Sequence, residues 1–165
     1  LFVVERETDG REPSVRCINF GLDGMQSFSF TLEEERSAVL VPAGQVGTYL
    51  YEPNASVLKA GAFKQIAVRT GVNKLQVNSH LYTSDHLVSD FPGRRFRVDE
   101  VLSFTGKLCK GLSKTIPQAN ITVRNFPLSV EELRKRTKIT DGGHVYLFAT
   151  TLVDGEKVLV KCSKA

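Results

Sequence analysis

The feature that most constrains the fold is a regular alternation of strand and helix patterns in the last seventy residues. Four ranges have the apolar patterning of strands: 95–104, 119–124, 145–152 and 157–161. Two ranges have the patterning of helices: 105–115 and 129–136. Asp154-Gly155, between the last two strand ranges, is typical of a hairpin turn. The order β-α-β-α-β-β in so few residues predicts a sheet with its helices stacked on one face.

In the first part of the chain, shorter sequence patterns indicate strands and a helical turn. Residues 1–6 and 14–20 flank Asp9-Gly10 and predict a hairpin. Residues 27–30 alternate strictly between serine and phenylalanine, which is typical of a strand. Thr31 then stands where the N-cap of a short helical turn would be.

The middle of the chain predicts a strand, a helix and an extended segment in turn. Residues 48–51 favour a strand, and residues 53–70 have a broad apolar face at helical spacing that ends at Gly71. Residues 75–83 favour an extended segment. Phe91-Pro92-Gly93 has the composition of a boundary between two parts of the chain.

Composition excludes several classes of protein. The chain has 165 residues, 41% of them apolar, so it can form a core, and no apolar run is long enough to cross a membrane. Cys17, Cys109 and Cys162 have no short spacing, which argues against a disulfide framework or a structural zinc site and favours core thiols in the cytosol. Residues 1–4 are already strand-like, which predicts a piece of a longer protein.

Charge is distributed unevenly along the chain. Residues 1–52 carry four Lys or Arg against nine Asp or Glu, whereas residues 53–165 carry eighteen against nine. A basic half on a chain with a net charge of only +4 favours a polyanionic partner, usually nucleic acid. Plain solubility is the competing explanation.

Three groups of basic residues are candidates for phosphate contacts. Lys107, Lys110 and Lys114 lie at i, i+3 and i+7 of a predicted helix and form one stripe. The second group lies at the end of the next predicted helix and consists of Arg134, Lys135, Arg136 and Lys138. The third group lies at the start of the preceding strand and consists of Arg94, Arg95 and Arg97. If both helices share a face of the sheet, one positive surface for phosphates results. The alternative is an ordinary solvated helix face.

The segment Tyr51-Glu52-Pro53-Asn54 joins a predicted strand to a predicted helix. Pro53 suits the first turn of a helix, where a missing N–H has no cost, and Glu52 or Asn54 suits the positive end of the helix dipole. The competing interpretation is an anion site at the helix N-terminus. Because Glu52 would repel an anion, the sequence favours a helix start.

Two segments contain the residue types of a hydrolase triad or a metal site, Asn78-Ser79-His80 and Ser84-Asp85-His86. No Gly-x-Ser-x-Gly elbow accompanies them, so both sites are minor alternatives. The chain also has no Gly-x-Gly-x-x-Gly and no Walker loop, which excludes a glycine-rich nucleotide or S-adenosylmethionine site of the usual kind.

Two sets of motifs resemble a known protein family. The first set, YLYEPN at 49–54, KAGAF at 59–63 and NSHLYTS at 78–84, resembles the small ferredoxin-like domain of a family of Bacteroidetes proteins. The second set, RNFPL at 124–128, ELR at 132–134, DGG at 141–143 and YLFATT at 146–151, resembles the THUMP-like domain that ends the same proteins.

Those proteins resemble class I S-adenosylmethionine-dependent methyltransferases with a Rossmann-type catalytic domain ahead of these two modules. The resemblance implies an α+β fold of two small ferredoxin-like and THUMP-like α/β sandwich lobes with mostly antiparallel sheets. Residues 1–44 would be a hairpin and connector, a remnant of the catalytic domain or a linker to it. Residues 45–93 would be the ferredoxin-like domain and residues 94–165 the THUMP-like domain.

True THUMP domains accompany RNA-modifying enzymes and bind RNA. The expected function is therefore that of a non-catalytic, cytoplasmic region that holds tRNA or rRNA by phosphate contacts against the methyltransferase domain of the same protein. S-adenosylmethionine is expected for the full-length protein, with no cofactor, metal or catalytic residue in this chain and no membrane partner. The alternative is a scaffold that packs on the catalytic domain or forms a homodimer without touching RNA.

The resemblance also marks seven residues as family motifs and leaves their role open. They are Tyr51, Glu52, Pro53, Asn54, Asn78, Ser79 and His80.

Overall fold

The computed structural model describes residues 12–21 and 24–165. In chain order its elements are β1 (Ser14–Gly21), β2 (Gly24–Thr31), α1 (Leu32–Ser37), β3 (Tyr49–Pro53), α2 (Ala55–Ala60), α3 (Gln65–Thr70), β4 (Asn73–Lys74), β5 (Tyr82–Ser84), β6 (Gly93–Ser103), α4 (Gly106–Thr115), β7 (Asn120–Val123), α5 (Val130–Thr137), β8 (Tyr146–Thr151) and β9 (Lys157–Lys164).

Seven of the strands form one sheet in the order β4-β5-β3-β6-β9-β8-β7. Neighbouring strands run antiparallel except β7 and β8, which are parallel. This mixed α and β architecture, with a mostly antiparallel sheet, confirms the predicted fold class. The long strand β6 pairs with β3 at its start and with β9 over most of its length, so the sheet runs without a break from one predicted lobe into the other.

Three apolar clusters pack against this sheet. In the first, α2, α3 and the β1–β2 hairpin bury side chains such as Val57, Ile66 and Phe30 together with Tyr51 of β3. The second gathers residues of β3, β6, β8 and β9 and of the chain between β4 and β5. The third packs α4 and α5 against β8 and β9. The predicted stacking of both C-terminal helices against one sheet is therefore confirmed.

The β1–β2 hairpin is part of the folded unit. β1 pairs with β2 along its whole length, and Cys17, Phe28 and Phe30 are buried in the same cluster as Tyr51. Thr31 caps α1 through a capping box with Glu34, as the sequence predicted. The predicted partner strand at residues 1–6 lies outside the described residues.

The single helix predicted over residues 53–70 is wrong, because the chain forms two helices with a break at Gly61. Gly61 adopts the left-handed conformation with φ of 75° and ends α2. α3 lacks a cap from its own N-cap side chain. Instead the Glu35 carboxylate of α1 accepts hydrogen bonds from the N–H groups of Lys64 (2.9 Å) and Gln65 (2.8 Å). A carboxylate at this position satisfies free helical donors.

The extended segment predicted over residues 75–83 is also largely wrong. Only Tyr82–Ser84 forms a strand there, and the preceding residues make a tight turn in which the Ser79 N–H and hydroxyl both donate to the Gln76 carbonyl. Leu75 and Leu81, at the two ends of this turn, are both buried, so apolar residues here fill the core without forming a strand.

The three cysteines are buried free thiols, as composition predicted. Burial raises the pKa of the Cys162 thiol to about 12. In the described ranges, no helix is both long and apolar enough to cross a membrane.

Candidate nucleic-acid interface

Helix α4 presents its lysines to solvent. Thr105 caps the helix, with its hydroxyl accepting from the Leu108 N–H at 3.1 Å. Leu112 and Cys109 are buried, whereas the lysine stripe predicted from the sequence is exposed along its whole length, at Lys107, Lys110 and Lys114. The helix therefore has one face in the core and one free cationic face.

Helix α5 lies beside α4 and adds three more exposed cations. It begins with a capping box between Ser129 and Glu132 and buries Leu133. Lys135, Arg136 and Lys138 at its end are exposed. Burial raises the pKa of the Cys109 thiol on α4, and the Arg136 guanidinium opposes that shift, which places Arg136 close to α4.

We call these six residues the α4–α5 basic surface: Lys107, Lys110, Lys114, Lys135, Arg136 and Lys138. In the part of the chain that the structure describes, none of the six forms a salt bridge. The charges of Lys107, Lys110, Lys114 and Lys138 therefore remain available to an anionic partner. Lys135 and Arg136 lie one helical turn after Glu131 and Glu132, which partly offset their charge.

Arg134 differs from its neighbours on α5. Its guanidinium forms an ion pair with Asp141 and donates to the carbonyls of Ala119 and Ile139, both at 3.3 Å. The side chain is only 22% exposed. Arg134 thus ties α5 to the chain ahead of β7 and is a weaker candidate for a phosphate contact than the six exposed residues.

The three arginines at the start of β6 are also engaged within the chain. Arg95 donates to the Ser89 carbonyl, and Arg97 pairs with Asp99 at 3.2 Å. Arg94 pairs with Glu52, and its guanidinium carbon lies 5.4 Å from the centre of the Phe96 ring. The structure thus gives each of these arginines an intrachain role that the sequence did not reveal.

Glu52 is a buried carboxylate held between two arginines. Its side chain is 6% exposed. Oε2 accepts from the Arg94 Nε–H at 2.8 Å and from a second N–H of the same guanidinium, and Oε1 accepts from an Arg124 Nη2–H at 2.8 Å. Arg94 lies at the start of β6 and Arg124 directly after β7, so this cluster links β3 to both of these strands. We call it the Glu52 clamp.

The other residues of Tyr51-Glu52-Pro53-Asn54 make contacts within the fold. The buried Tyr51 hydroxyl lies 2.8 Å from the Ser84 hydroxyl and donates to the His86 carbonyl at 3.0 Å. Asn54 is the N-cap of α2, and its Oδ1 accepts from the Val57 N–H at 3.1 Å. The predicted helix start is confirmed at Asn54, but Pro53 ends β3 and does not enter the helix.

The segment Asn78-Ser79-His80 forms the turn ahead of β5. Asn78 is exposed, and Ser79 is fully buried. His80 has a positive φ of 51°, and its ring stacks on Phe63 with 4.0 Å between centroids. Of these three residues, only His80 makes a contact that suggests a ligand site.

Neither the hydrolase nor the metal alternative gains support. The Ser84 hydroxyl donates to the His86 backbone carbonyl at 2.6 Å, and the Ser79 hydroxyl donates to the Gln76 carbonyl, so neither serine is bonded to an imidazole. Among the described residues, no three His, Cys, Asp or Glu side chains are grouped to hold a metal ion.

A cleft of about 450 Å³ lies between the Gly44–Gly47 loop and residues 83–88. The Gly47 N–H donates to the Thr83 hydroxyl at 2.8 Å, and Gly47 packs so closely on Ser84 that an added Cβ would lie 2.9 Å from its carbonyl oxygen. The loop therefore packs on β5 through the backbone of Gly47.

Sequence reasoning missed three residues that the fold brings to this region. Arg124 belongs to a family motif and Phe63 to a motif and an apolar helical face, whereas Lys74 belongs to none of the patterns found in the sequence. Lys74 is 3% exposed and donates to the Val77 carbonyl at 2.7 Å. The sequence does not reveal this buried lysine, because the aromatic rings that its ammonium faces, those of Phe63 and Tyr82, are brought to it by the tertiary fold.

The comparisons with known proteins match both halves of the sheet. Residues 49–92 match the model of a ferredoxin-like domain, and residues 93–164 match the model of a domain described as THUMP domain-like. A crystal structure of a "putative methyltransferase" from Porphyromonas gingivalis W83 is similar, with a TM-score of 0.88 and 48% sequence identity. No curated protein matches the chain.

The similarity to the Porphyromonas structure covers 92% of this chain and 38% of that one. The chain thus spans less than half of the length of the solved protein. The two domain matches follow each other directly and meet at residues 92 and 93, at the boundary segment noted in the sequence. The chain therefore belongs to the family of proteins in which this ferredoxin-like domain is followed by a THUMP-like domain.

Proposed function

We propose that this chain is the RNA-holding region of an S-adenosylmethionine-dependent RNA methyltransferase. In this proposal the α4–α5 basic surface contacts the phosphates of a structured RNA such as tRNA or rRNA. In this proposal methyl transfer and the cofactor belong to the catalytic domain of the longer protein.

The observation that carries the proposal is the α4–α5 basic surface itself. Six exposed cations lie on two adjacent helices, and none is paired with a carboxylate within the described residues. Phosphate neutralisation by such residues supplies most of the affinity of non-specific nucleic-acid binding. The THUMP-like match covers both helices, and the similar Porphyromonas protein is described as a "putative methyltransferase", which agrees with this assignment.

We expect the chain to bind bulk tRNA with a steep dependence on salt. If six phosphates are neutralised, affinity should fall roughly a thousandfold between about 50 and 200 mM salt. Changing Lys107, Lys110 and Lys114 together to Glu should weaken binding and lower the slope of log K against log salt by about 2 to 3. Fluorescence anisotropy with labelled tRNA measures both quantities.

A matched control reverses three exposed cations elsewhere, with Arg16→Glu, Arg36→Glu and Lys59→Glu. This variant has the same change in net charge but leaves the α4–α5 basic surface intact, so it should retain the wild-type salt slope. Equal losses in both variants would show a general charge effect and contradict the proposed surface. An unchanged affinity of the lysine variant would contradict it as well.

One observation favours a second candidate, the scaffold. The outer face of the β1–β2 hairpin exposes Ile18 (42%), Phe20 (81%) and Met25 (57%), and Phe20 lies opposite Met25 in the register. Under this candidate the face packs on a second copy of the chain. Sedimentation should then show a dimer that becomes a monomer with Phe20→Ser and Met25→Ser. A monomeric wild-type chain that binds tRNA would exclude self-association as its role.

A further inference from the structure

A small crevice lies where the ferredoxin-like and THUMP-like segments meet. It is lined by Leu58, Phe63, His80 and Arg124, and its volume is about 210 Å³. Clefts that hold drug-sized ligands usually measure about 300–1,000 Å³. The crevice therefore suits a single ring system and is too small for a complete cofactor.

One wall of the crevice is aromatic. The rings of Phe63 and His80 stack with 4.0 Å between centroids and 30° between planes. The Lys74 ammonium lies 5.1 Å from the centre of the Phe63 ring. Because the two rings cover each other's facing sides, a base would stack on the outer face of the pair, and every base has a π-face that can do so.

His80 is held in an unusual state for a structural residue. Its backbone has a φ of 51°, a conformation that costs energy for a non-glycine residue. Neither of its ring nitrogens hydrogen-bonds to a described residue, although Nδ1 is buried. Burial and, secondarily, the charges of Lys74 and Arg124 lower the pKa of His80. The imidazole is therefore neutral near pH 7 and carries one donor and one acceptor.

Arg124 lies at the edge of the crevice and has N–H donors that are not used within the described residues. One Nη2–H is used on Glu52, and the side chain is 38% exposed. Within the described residues the guanidinium has no other hydrogen-bond acceptor. Arginine planes stack on unpaired bases and donate to their edges.

We propose that this crevice binds one unstacked nucleobase, which stacks on the Phe63–His80 wall and hydrogen-bonds to His80 and Arg124. The chemistry requires a planar heteroaromatic ring with polar edges, and both a single-stranded RNA nucleotide and a free nucleotide supply one.

That the bound base belongs to an RNA strand rests on the function proposed above. Arg124 lies five residues before Ser129, the N-cap of α5. The cationic end of the helix lies about 12 Å further along, since α5 has eight residues that rise about 1.5 Å each. A strand on the α4–α5 basic surface could therefore place an unpaired base in the crevice.

The direct test is an NMR titration of the 165-residue chain with AMP, UMP and ribose 5-phosphate. The chain has three histidines, so the imidazole signals of His86 and His144 serve as references for those of His80. We expect AMP or UMP to shift the His80 signals saturably, and ribose 5-phosphate to leave them unchanged. Absence of a His80 shift, or an equal shift with ribose 5-phosphate, would overturn the proposal.

Two variants test the same contacts with an RNA probe. Phe63→Leu removes the stacking ring but keeps an apolar side chain, and His80→Asn removes the imidazole while tolerating positive φ. Each should weaken binding of labelled adenosine or uridine pentamers about tenfold. His86→Asn, at an exposed histidine, is the matched control and should bind as the wild type does. Melting curves identify any variant that fails to fold, and the nucleotide titration of the wild type decides the proposal in that case.

The outcomes separate this proposal from the phosphate surface. If nucleotides shift the His80 signals and the RNA pentamers bind more tightly than the single nucleotides do, the base that the crevice binds comes from RNA. Nucleotide binding without any tRNA or pentamer binding retains the crevice as a free-nucleotide site and overturns the RNA function. A third outcome is that tRNA binding is salt-sensitive and is lost when the α4 lysines are reversed, while nucleotides do not shift the His80 signals. That outcome overturns the proposed nucleobase site and leaves the α4–α5 basic surface standing.

Discussion

Changing both Arg94 and Arg124 to Met is expected to destabilise the chain by about 3–5 kcal/mol, because it leaves Glu52 buried without a cation. The Glu52 side chain is 6% exposed, so its carboxylate has little contact with water in the folded chain and depends on the two guanidinium partners. The loss is a large share of the about 5–15 kcal/mol by which a domain is normally stable. Urea denaturation, with the midpoint and slope fitted together, measures it.

A third substitution separates charge from packing in this cluster. Adding Glu52→Leu to the double variant removes the buried charge, so most of the lost stability should return. If the triple variant stays as unstable as the double variant, the arginines contribute through packing and not through the Glu52 clamp. A double variant within about 1 kcal/mol of the wild type would show that the cluster has little effect on folding.

Gly93→Ala is expected to destabilise the chain by about 3 kcal/mol or more, at the upper end of what overpacking costs. Gly93 lies opposite Pro53 where β6 begins to pair with β3. An added Cβ would collide with the Glu52 carbonyl oxygen and lie 2.8 Å from the Pro53 Cα. These are backbone atoms of a central strand, so they cannot move aside without breaking the pairing. The melting temperature should fall by roughly 6–12 °C.

Gly111→Ala is the matched control for that substitution. Gly111 lies in α4 with nothing within 4 Å of an added Cβ. Alanine there should raise stability by up to about 1 kcal/mol, because glycine is a poor helix former. Opposite signs for the two variants would assign the effect at Gly93 to the close approach of β3. A harmless Gly93→Ala would contradict the close approach itself.

The sequence predicted elements that depend on neighbouring residues. The capping residues Thr31 and Ser129 and the Asp154-Gly155 hairpin lie where the patterns put them, because each is decided within a few residues. The lysine stripe of α4 is exposed as its spacing predicted. Local rules failed at Gly61, where an apolar face that continues at helical spacing concealed a left-handed glycine that ends α2.

The tertiary structure alone decided which charges are free and which are engaged. Glu52 and Arg124 are 72 residues apart and meet because β3 and the end of β7 converge, so no spacing in the sequence could reveal the pair. The same convergence brings Phe63 and His80 beside Arg124. Arg94 and Lys110 are both cations in a basic half, yet one is paired and the other is exposed. The sequence determined the elements and the charge balance, since both follow from local composition. The partners of each charge depend on long-range packing, which only the folded chain determines.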